Sequence, residues 1–273
     1  MITEPSKPKL SVTEITTKYL PFDKDVEIYA SAGLDAMSIW WDKLKNYGVA
    51  KGNRLIRDAG LPIASMVGVE YLLSSQAGEI RDTFDDILVG LDACAKIGIP
   101  VLGIVPGNKL GRSQDEMEAL TINTILRLAP EARSRGVTLA LEPIHAPYFD
   151  FLNTLIEADR IVNAVGQSNV GIMFDVWHLC HEPELHKRIE ATANNIAFVH
   201  FSDWREPTRY HDDRLLTGQG VLPLKTILQK IHTSGYRGYY DVEIFSEDVW
   251  RGDAAENLKY CRQYFNSIWV AEN

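Results

Sequence analysis

The chain has 273 residues, 45% of them hydrophobic and 24% charged, and its 28 Lys and Arg against 37 Asp and Glu give a formal charge of −9. That length suits one large domain, the composition matches ordinary soluble proteins and argues against dominant disorder, and the acidic balance opposes binding to nucleic-acid phosphates or anionic lipid. A small neutral substrate fits that charge better. The opening MITEPSKPKL lacks the apolar run of a signal peptide, and no later window approaches the roughly 20 apolar residues of a membrane span, so a cytoplasmic location is expected. Cys94, Cys180 and Cys261 are odd in number and far apart, and read as inert thiols.

Short apolar runs alternate with segments of helical period along the whole chain, with no linker or low-complexity stretch between them. Strands are predicted at Leu10–Glu14, Ala36–Trp40, Pro62–Val67, Pro100–Val105, Val137–Glu142, Val170–Asp175, Ile196–Phe201 and Tyr239–Ile244. The clearest helix spans Gly78–Gly98, where Ile80, Phe84, Ile87, Leu88, Leu91 and Cys94 fall near one stripe. A second, Gln114–Arg135, contains Pro130, which should kink or restart it near Ala129. Asn153–Val165, Pro183–Ala193, Pro223–Ser234 and Ala254–Val270 supply the later crossover helices, and Gly166, Gly235 and Gly238 stand where helices hand the chain back to strands.

Eight such units fit an open doubly wound sheet or a closed barrel, and periodicity does not separate the two. The charged residues do. In a parallel barrel the chemistry sits at the C-terminal ends of the strands. There the last four strands read VTLALEP with Glu142, VGIMFDVWH with Asp175, IAFVHFSD with His200 and YYDVEIF with Glu243. The expected fold is α/β, a (β/α)8 TIM barrel forming a single domain over residues 1–273.

Three carboxylates and one imidazole suit a hard divalent cation such as Mn²⁺ or Mg²⁺, which takes about six ligands and so keeps positions open for substrate oxygens or water. A closed structural zinc site would ask for cysteines or several histidines. Each residue alone has a plainer reading, a helix-capping glutamate or a satisfied core histidine. Their recurrence on four successive strands outweighs it, because buried carboxylates need a positive charge among them or access to solvent.

These residues resemble the xylose isomerase-like barrels, a family that includes ketose 3-epimerases, hydroxypyruvate isomerase-like proteins and inosose dehydratases. The resemblance covers most of the chain. It is strongest from Val137 to Phe245, through Leu-Glu-Pro at 141–143, Asp-x-x-His at 175–178, Val-His-x-x-Asp at 199–203 and Asp-x-Glu at 241–243, while the N-terminal half is matched only in architecture. It implies that Glu142, Asp175, His200 and Glu243 bind one Mn²⁺, with Mg²⁺ or Co²⁺ as substitutes, that Glu142 and Glu243 exchange the substrate proton as base and acid, and that His178 contacts substrate hydroxyls. A divalent ion chelating a carbonyl and its neighbouring hydroxyl would stabilise the enediolate left by proton loss. The expected activity is a metal-dependent sugar isomerase or epimerase acting on a small carbohydrate, as a single chain or within a homo-oligomer or hetero-oligomer.

Around this core the segment Asp203–Gly220 is long for a loop and holds Trp204, Arg205, Arg209, His211 and Arg214, groups suited to closing over a sugar. Arg205 is expected first among them to hold a substrate oxygen, with a surface salt bridge as its plainer role. Gly218-Gln219-Gly220 reads as a turn rather than a phosphate cradle. Either Trp40 or Trp41 should face the mouth as a stacking wall while its neighbour packs outward. His145 is a pocket-wall contact or a solvated residue, and His181 and His186 are expected in solvent.

The main rival is a lyase using the same site for β-elimination, by inosose dehydration or cleavage of a 3-oxo-glycoside. Endonuclease IV-type repair enzymes share the superfamily but take zinc ligands from early strands, and here no histidine precedes His145. A non-catalytic barrel would be expected to have lost the four ligands.

Overall fold

The computed structural model describes residues 7–76, 79–210 and 213–270. Eight strands form the barrel: β1 (Lys9–Thr13), β2 (Ala36–Trp40), β3 (Ile63–Val67), β4 (Val101–Ile104), β5 (Thr138–Leu141), β6 (Val170–Asp175), β7 (Ile196–Phe201) and β8 (Tyr239–Val242). Each pairs in parallel with its chain neighbours, and β1 pairs with β8, so the sheet closes. All eight lie within a residue or two of the predicted positions.

Alternation along each strand separates two cores. Ala36, Ala64, Ala140, Met173 and Phe198 fill the barrel interior, while Leu10, Val12, Met37, Ile39, Val199 and Val242 face the surrounding helices. Both faces are therefore buried and mostly apolar, with Ser11, Ser38, Ser65 and Asp241 as polar residues among the strands, which read as nearly unbroken hydrophobic runs. The helices are delimited by ordinary chemistry: Ser113 with Glu116 and Thr154 with Glu157 form capping boxes, and Gly98 and Gly166 end helices in the left-handed conformation. Among the described residues no helix is long and apolar enough to cross a membrane.

One expectation is corrected and a second is narrowed. The predicted helix Gly78–Gly98 is shorter, Phe84–Ile97, because Glu79–Asp82 pairs antiparallel with Leu73–Gln76 as a hairpin above the barrel rim; Gly78 lies outside the described residues. Thr83 Oγ1 donates to the carbonyls of Tyr71 and Leu72, pinning the hairpin's base where the helix would have begun. The helix Gln114–Ser134 runs through Pro130 without restarting. Pro130 lies on the exposed face, while Ile125, Leu128, Ala129 and Ala132 are fully buried on the other. A proline costs a helix interior roughly 3 kcal/mol, and burial on both sides of the break offsets it.

Candidate metal centre and active site

Glu142 and Glu243 stand one residue past the ends of β5 and β8, Asp175 closes β6, and His200 lies on β7 in register with Asp175. The four ligand atoms of these residues all lie within 4.8 Å of one another, and all four side chains are buried. His200 Nδ1 is 3.5 Å from Glu243 Oε2 and 3.8 Å from Glu142 Oε1. Asp175 uses Oδ1 to cap the short helix Val176–Leu179, accepting from Trp177 N at 2.9 Å, which leaves Oδ2 for the cluster.

The guanidinium of Arg214 reaches the same group. Its Nη1 is 2.9 Å from Asp175 Oδ2 and 3.2 Å from Glu243 Oε2, and it lies between the rings of Trp177 and Phe245. Three carboxylates against one guanidinium leave two negative charges, matching a divalent cation. Protonation tells the same story. Burial, helped by the Glu243 carboxylate, pushes Glu142 up to about 7 against the attraction of His200. Burial pulls His200 down, but the carboxylates of Glu243, Glu142 and Asp241 outweigh it and push it up to about 10. Burial raises Asp175 too, yet Arg214 and the nearby imidazoles hold it below its ordinary value. Protons thus gather on two of the four donors, where a cation would otherwise supply the charge. Both His200 nitrogens are buried without a hydrogen-bond partner. An oxygen-rich donor set with one such imidazole fits a hard divalent cation.

Glu142 and Glu243 open onto a cavity of about 290 Å³ at the C-terminal mouth of the barrel. His178, Arg214, Glu142 and Glu243 line one side; Trp40, Val67, Gly68, Tyr71, Gly103 and Val105 line the other. Trp40 is therefore the tryptophan at the mouth, and Trp41 is 5% exposed and packs outward. The Trp40 indole lies against Gly68, where an added Cβ would sit 2.8 Å from the ring.

His178 is buried, with Nε2 3.3 Å from Arg214 Nη2 and Nδ1 2.8 Å from His145 Nδ1. Burial holds the His178 imidazole well below its usual range, so it is neutral at neutral pH. His145 thus sits behind His178, half-buried, outside the cavity wall. Trp204 packs 4.6 Å from Trp177, beside rather than within the cavity lining, and His181 and His186 are exposed.

Arg205 does not reach the cavity. It bonds Asp213 and Asp248, as does Arg209, strapping the loop after β7 to the segment after β8. The arginine at the site is Arg214, presented by a two-residue antiparallel pairing of Asp203–Trp204 with Arg214–Leu215. His211 lies outside the described residues. Asp203 organises the loop by accepting from the amides of Trp204, Gly218 and Leu222. Gly218-Gln219-Gly220 is the turn that wraps it: a Cβ on Gly220 would stand 2.3 Å from the Trp204 carbonyl oxygen and 2.4 Å from Asp203 Oδ1. The sequence carried a signal for Asp203, the last residue of Val-His-x-x-Asp, but none that ranked Arg214 above Arg205. The three cysteines are free, and burial pushes each thiol up to about 12, in keeping with inert side chains.

A sequence model described as the xylose isomerase-like TIM barrel matches residues 26–264, and the chain belongs to that family. It is 24% identical over 271 residues to an inosose isomerase of Bacillus velezensis, covering 95% of this chain and 96% of that protein. It is 27% identical over 169 residues to a D-psicose 3-epimerase of Enterocloster bolteae, covering 54% of each. Among solved structures, the IOLI protein with a binding zinc atom superposes with a TM-score of 0.84 at 20% identity, over 95% of this chain and 97% of that one. The two relatives matched by sequence here are thus named as an isomerase and an epimerase.

Proposed function

We propose that the protein is a divalent-cation-dependent sugar isomerase or epimerase that moves a proton on the carbon beside a substrate carbonyl. The observation that carries this reading is the meeting of Glu142 and Glu243 at one cavity with Asp175 and His200 completing a four-donor group. The two glutamates come from strands separated by two others around the barrel, which supports approach to a bound ring from different sides. One takes the proton and the other returns it.

Mn²⁺ is the cation proposed, with Mg²⁺ or Co²⁺ as alternatives, held by Glu142, Asp175, His200 and Glu243. When bound it supplies Lewis acidity that draws electron density from the substrate carbonyl. Arg214 donates to substrate oxygens at the polar wall, where His178 contacts substrate hydroxyls beside it, and Trp40 offers a flat face opposite. Trp204, packed on Trp177 at the base of the loop that Asp203 organises, helps keep water from the reacting carbon.

The test is solvent-deuterium incorporation, followed by mass spectrometry, on a panel of free ketoses, inososes and 3-keto-glycosides with cation supplied after chelation. One deuterium gained with an intact carbon skeleton is the expected result. Loss of water or of an aglycone would replace the isomerase reading with a β-elimination, and undiminished exchange in Glu142→Gln and Glu243→Gln proteins with cation bound would remove the two-glutamate scheme.

A further inference from the structure

We propose that Asp241, outside the four-donor group, is the positioning carboxylate for His200: it accepts the Nε2 proton and so leaves Nδ1 as the lone-pair nitrogen facing Glu142 and Glu243. The inference rests on the reading of Glu142, Asp175, His200 and Glu243 as cation ligands. Asp241 begins the Asp-x-Glu motif, and alternation sends Asp241 and Glu243 to the same face while Val242 between them packs into the outer core.

Asp241 and His200 are register partners on β8 and β7, and neither is exposed. His200 Nε2 lies 3.7 Å from Asp241 Oδ2, on the ring edge opposite the nitrogen that faces the two glutamates. Asp241 Oδ2 and both ring nitrogens are buried and lack a hydrogen-bond partner. An unmet buried polar atom is costly, so the two groups satisfy each other once they close by less than about 1 Å.

The carboxylate is braced from the side of β1 and β2, away from the strand that carries His200. Its Oδ1 accepts from Ser38 Oγ on β2 at 2.6 Å, and its register partner on β1, Ser11, is also fully buried. Ser38 therefore holds one oxygen and turns the other toward His200. A carboxylate behind a ligating imidazole fixes ring orientation and tautomer and strengthens the nitrogen that faces the ion. Such supports typically change cation affinity about 10- to 100-fold.

Two measurements that do not depend on turnover test the assignment. In Zn²⁺-loaded wild-type protein, long-range ¹H–¹⁵N correlation spectra should place the His200 proton on Nε2, the signal being assigned by its loss in a His200→Asn protein. In equilibrium dialysis with Mn²⁺, Asp241→Asn should bind about 10- to 100-fold more weakly than wild type, and Ser38→Ala, which removes only the brace, a few-fold more weakly. Absence of cation binding by the wild-type protein would defeat the ligand reading itself. Wild-type binding with the proton on Nδ1, or an Asp241→Asn protein that binds as wild type does, would overturn the Asp241 assignment alone. Should Asp241→Asn fail to fold, the wild-type spectrum and Ser38→Ala decide the matter.

Discussion

Both halves of the barrel bury carboxylates at the C-terminal rim, yet they neutralise them differently. In the first half, Glu14 and Asp25 are fully buried, and Lys43 inserts its ammonium beside them, 2.5 Å from Asp25 Oδ2, while also donating to the carbonyls of Glu14 and Thr17. Burial and the adjacent Asp25 push the Glu14 carboxyl well above its ordinary range, so it stays protonated, and its Oε2 accepts from the Trp40 amide at the end of β2. That cluster carries its own ammonium, although Glu14 Oε1 is buried without a hydrogen-bond partner. In the second half, three carboxylates and an imidazole converge on a cavity with one arginine among them and are left short of positive charge. Buried acid alone does not mark a site; buried acid facing a cavity without enough partners does.

The largest expected effect separates the halves by activity. Glu142→Gln and Glu243→Gln should each lower turnover by about 10²- to 10⁴-fold, the usual worth of a positioned acid or base. Glu14→Gln should leave it within about threefold, because an amide replaces a carboxyl that is already neutral. Steady-state rates on the substrate found by deuterium exchange make the comparison, and equal losses from Glu14 and Glu142 would erase the distinction between the halves.

Next comes the contrast between the two arginines. Arg214→Ala removes the guanidinium that bonds Asp175 and Glu243 and should destabilise the cation-free protein by about 3–5 kcal/mol, read from denaturant unfolding. Arg205 is 29% exposed, and its buried partner Asp213 keeps its bonds to Arg209, so Arg205→Ala should cost no more than about 1 kcal/mol. A reversal of that order would return Arg205 to the site.

The effect of pH is next in size. Glu142 and His200 both have folded-state values above their ordinary 4.5 and 6.5, at about 7 and about 10, so the folded chain keeps protons that the unfolded chain has released. Stability of the cation-free protein is therefore greatest at low pH within this window and falls as pH rises from 4.5 toward 10. Glu142 alone accounts for about 3 kcal/mol of that loss between pH 4.5 and 7, at about 1.4 kcal/mol per unit. Glu14 tilts the curve the same way, so the slope does not discriminate the halves. Divalent cation does, because it displaces the protons of the second half only. Thermal unfolding should show added Mn²⁺ stabilising more at pH 8 than at pH 6, and a stabilisation that does not grow with pH would argue that the cation binds elsewhere.

The barrel was legible in the sequence because strands buried on both faces are apolar until a polar residue ends them, and on the last four strands that residue was Glu142, Asp175, His200 or Glu243. The apolar wall was only half legible: Trp40-Trp41 announced one inward and one outward ring, but which faced the mouth depends on the strand's register. Arg214 was named but ranked below Arg205, since the choice rests on the pairing of Asp203–Trp204 with Arg214–Leu215 and not on spacing. The pairing of Leu73–Gln76 with Glu79–Asp82 was hidden because Ile80 happens to fall in phase with the helical stripe that follows, and Pro130 does not restart its helix because burial on the inner face outweighs one missing hydrogen bond. Asp241 was visible by alternation from Glu243, yet its meaning required His200 Nε2 to be seen facing it.

The most direct test of the four-donor site is a crystal of the protein soaked in Mn²⁺ and measured for anomalous scattering. The expected map holds one peak within bonding distance of Glu142, Asp175, His200 and Glu243, and a map with no peak there, or with its ion bound elsewhere, would contradict the account.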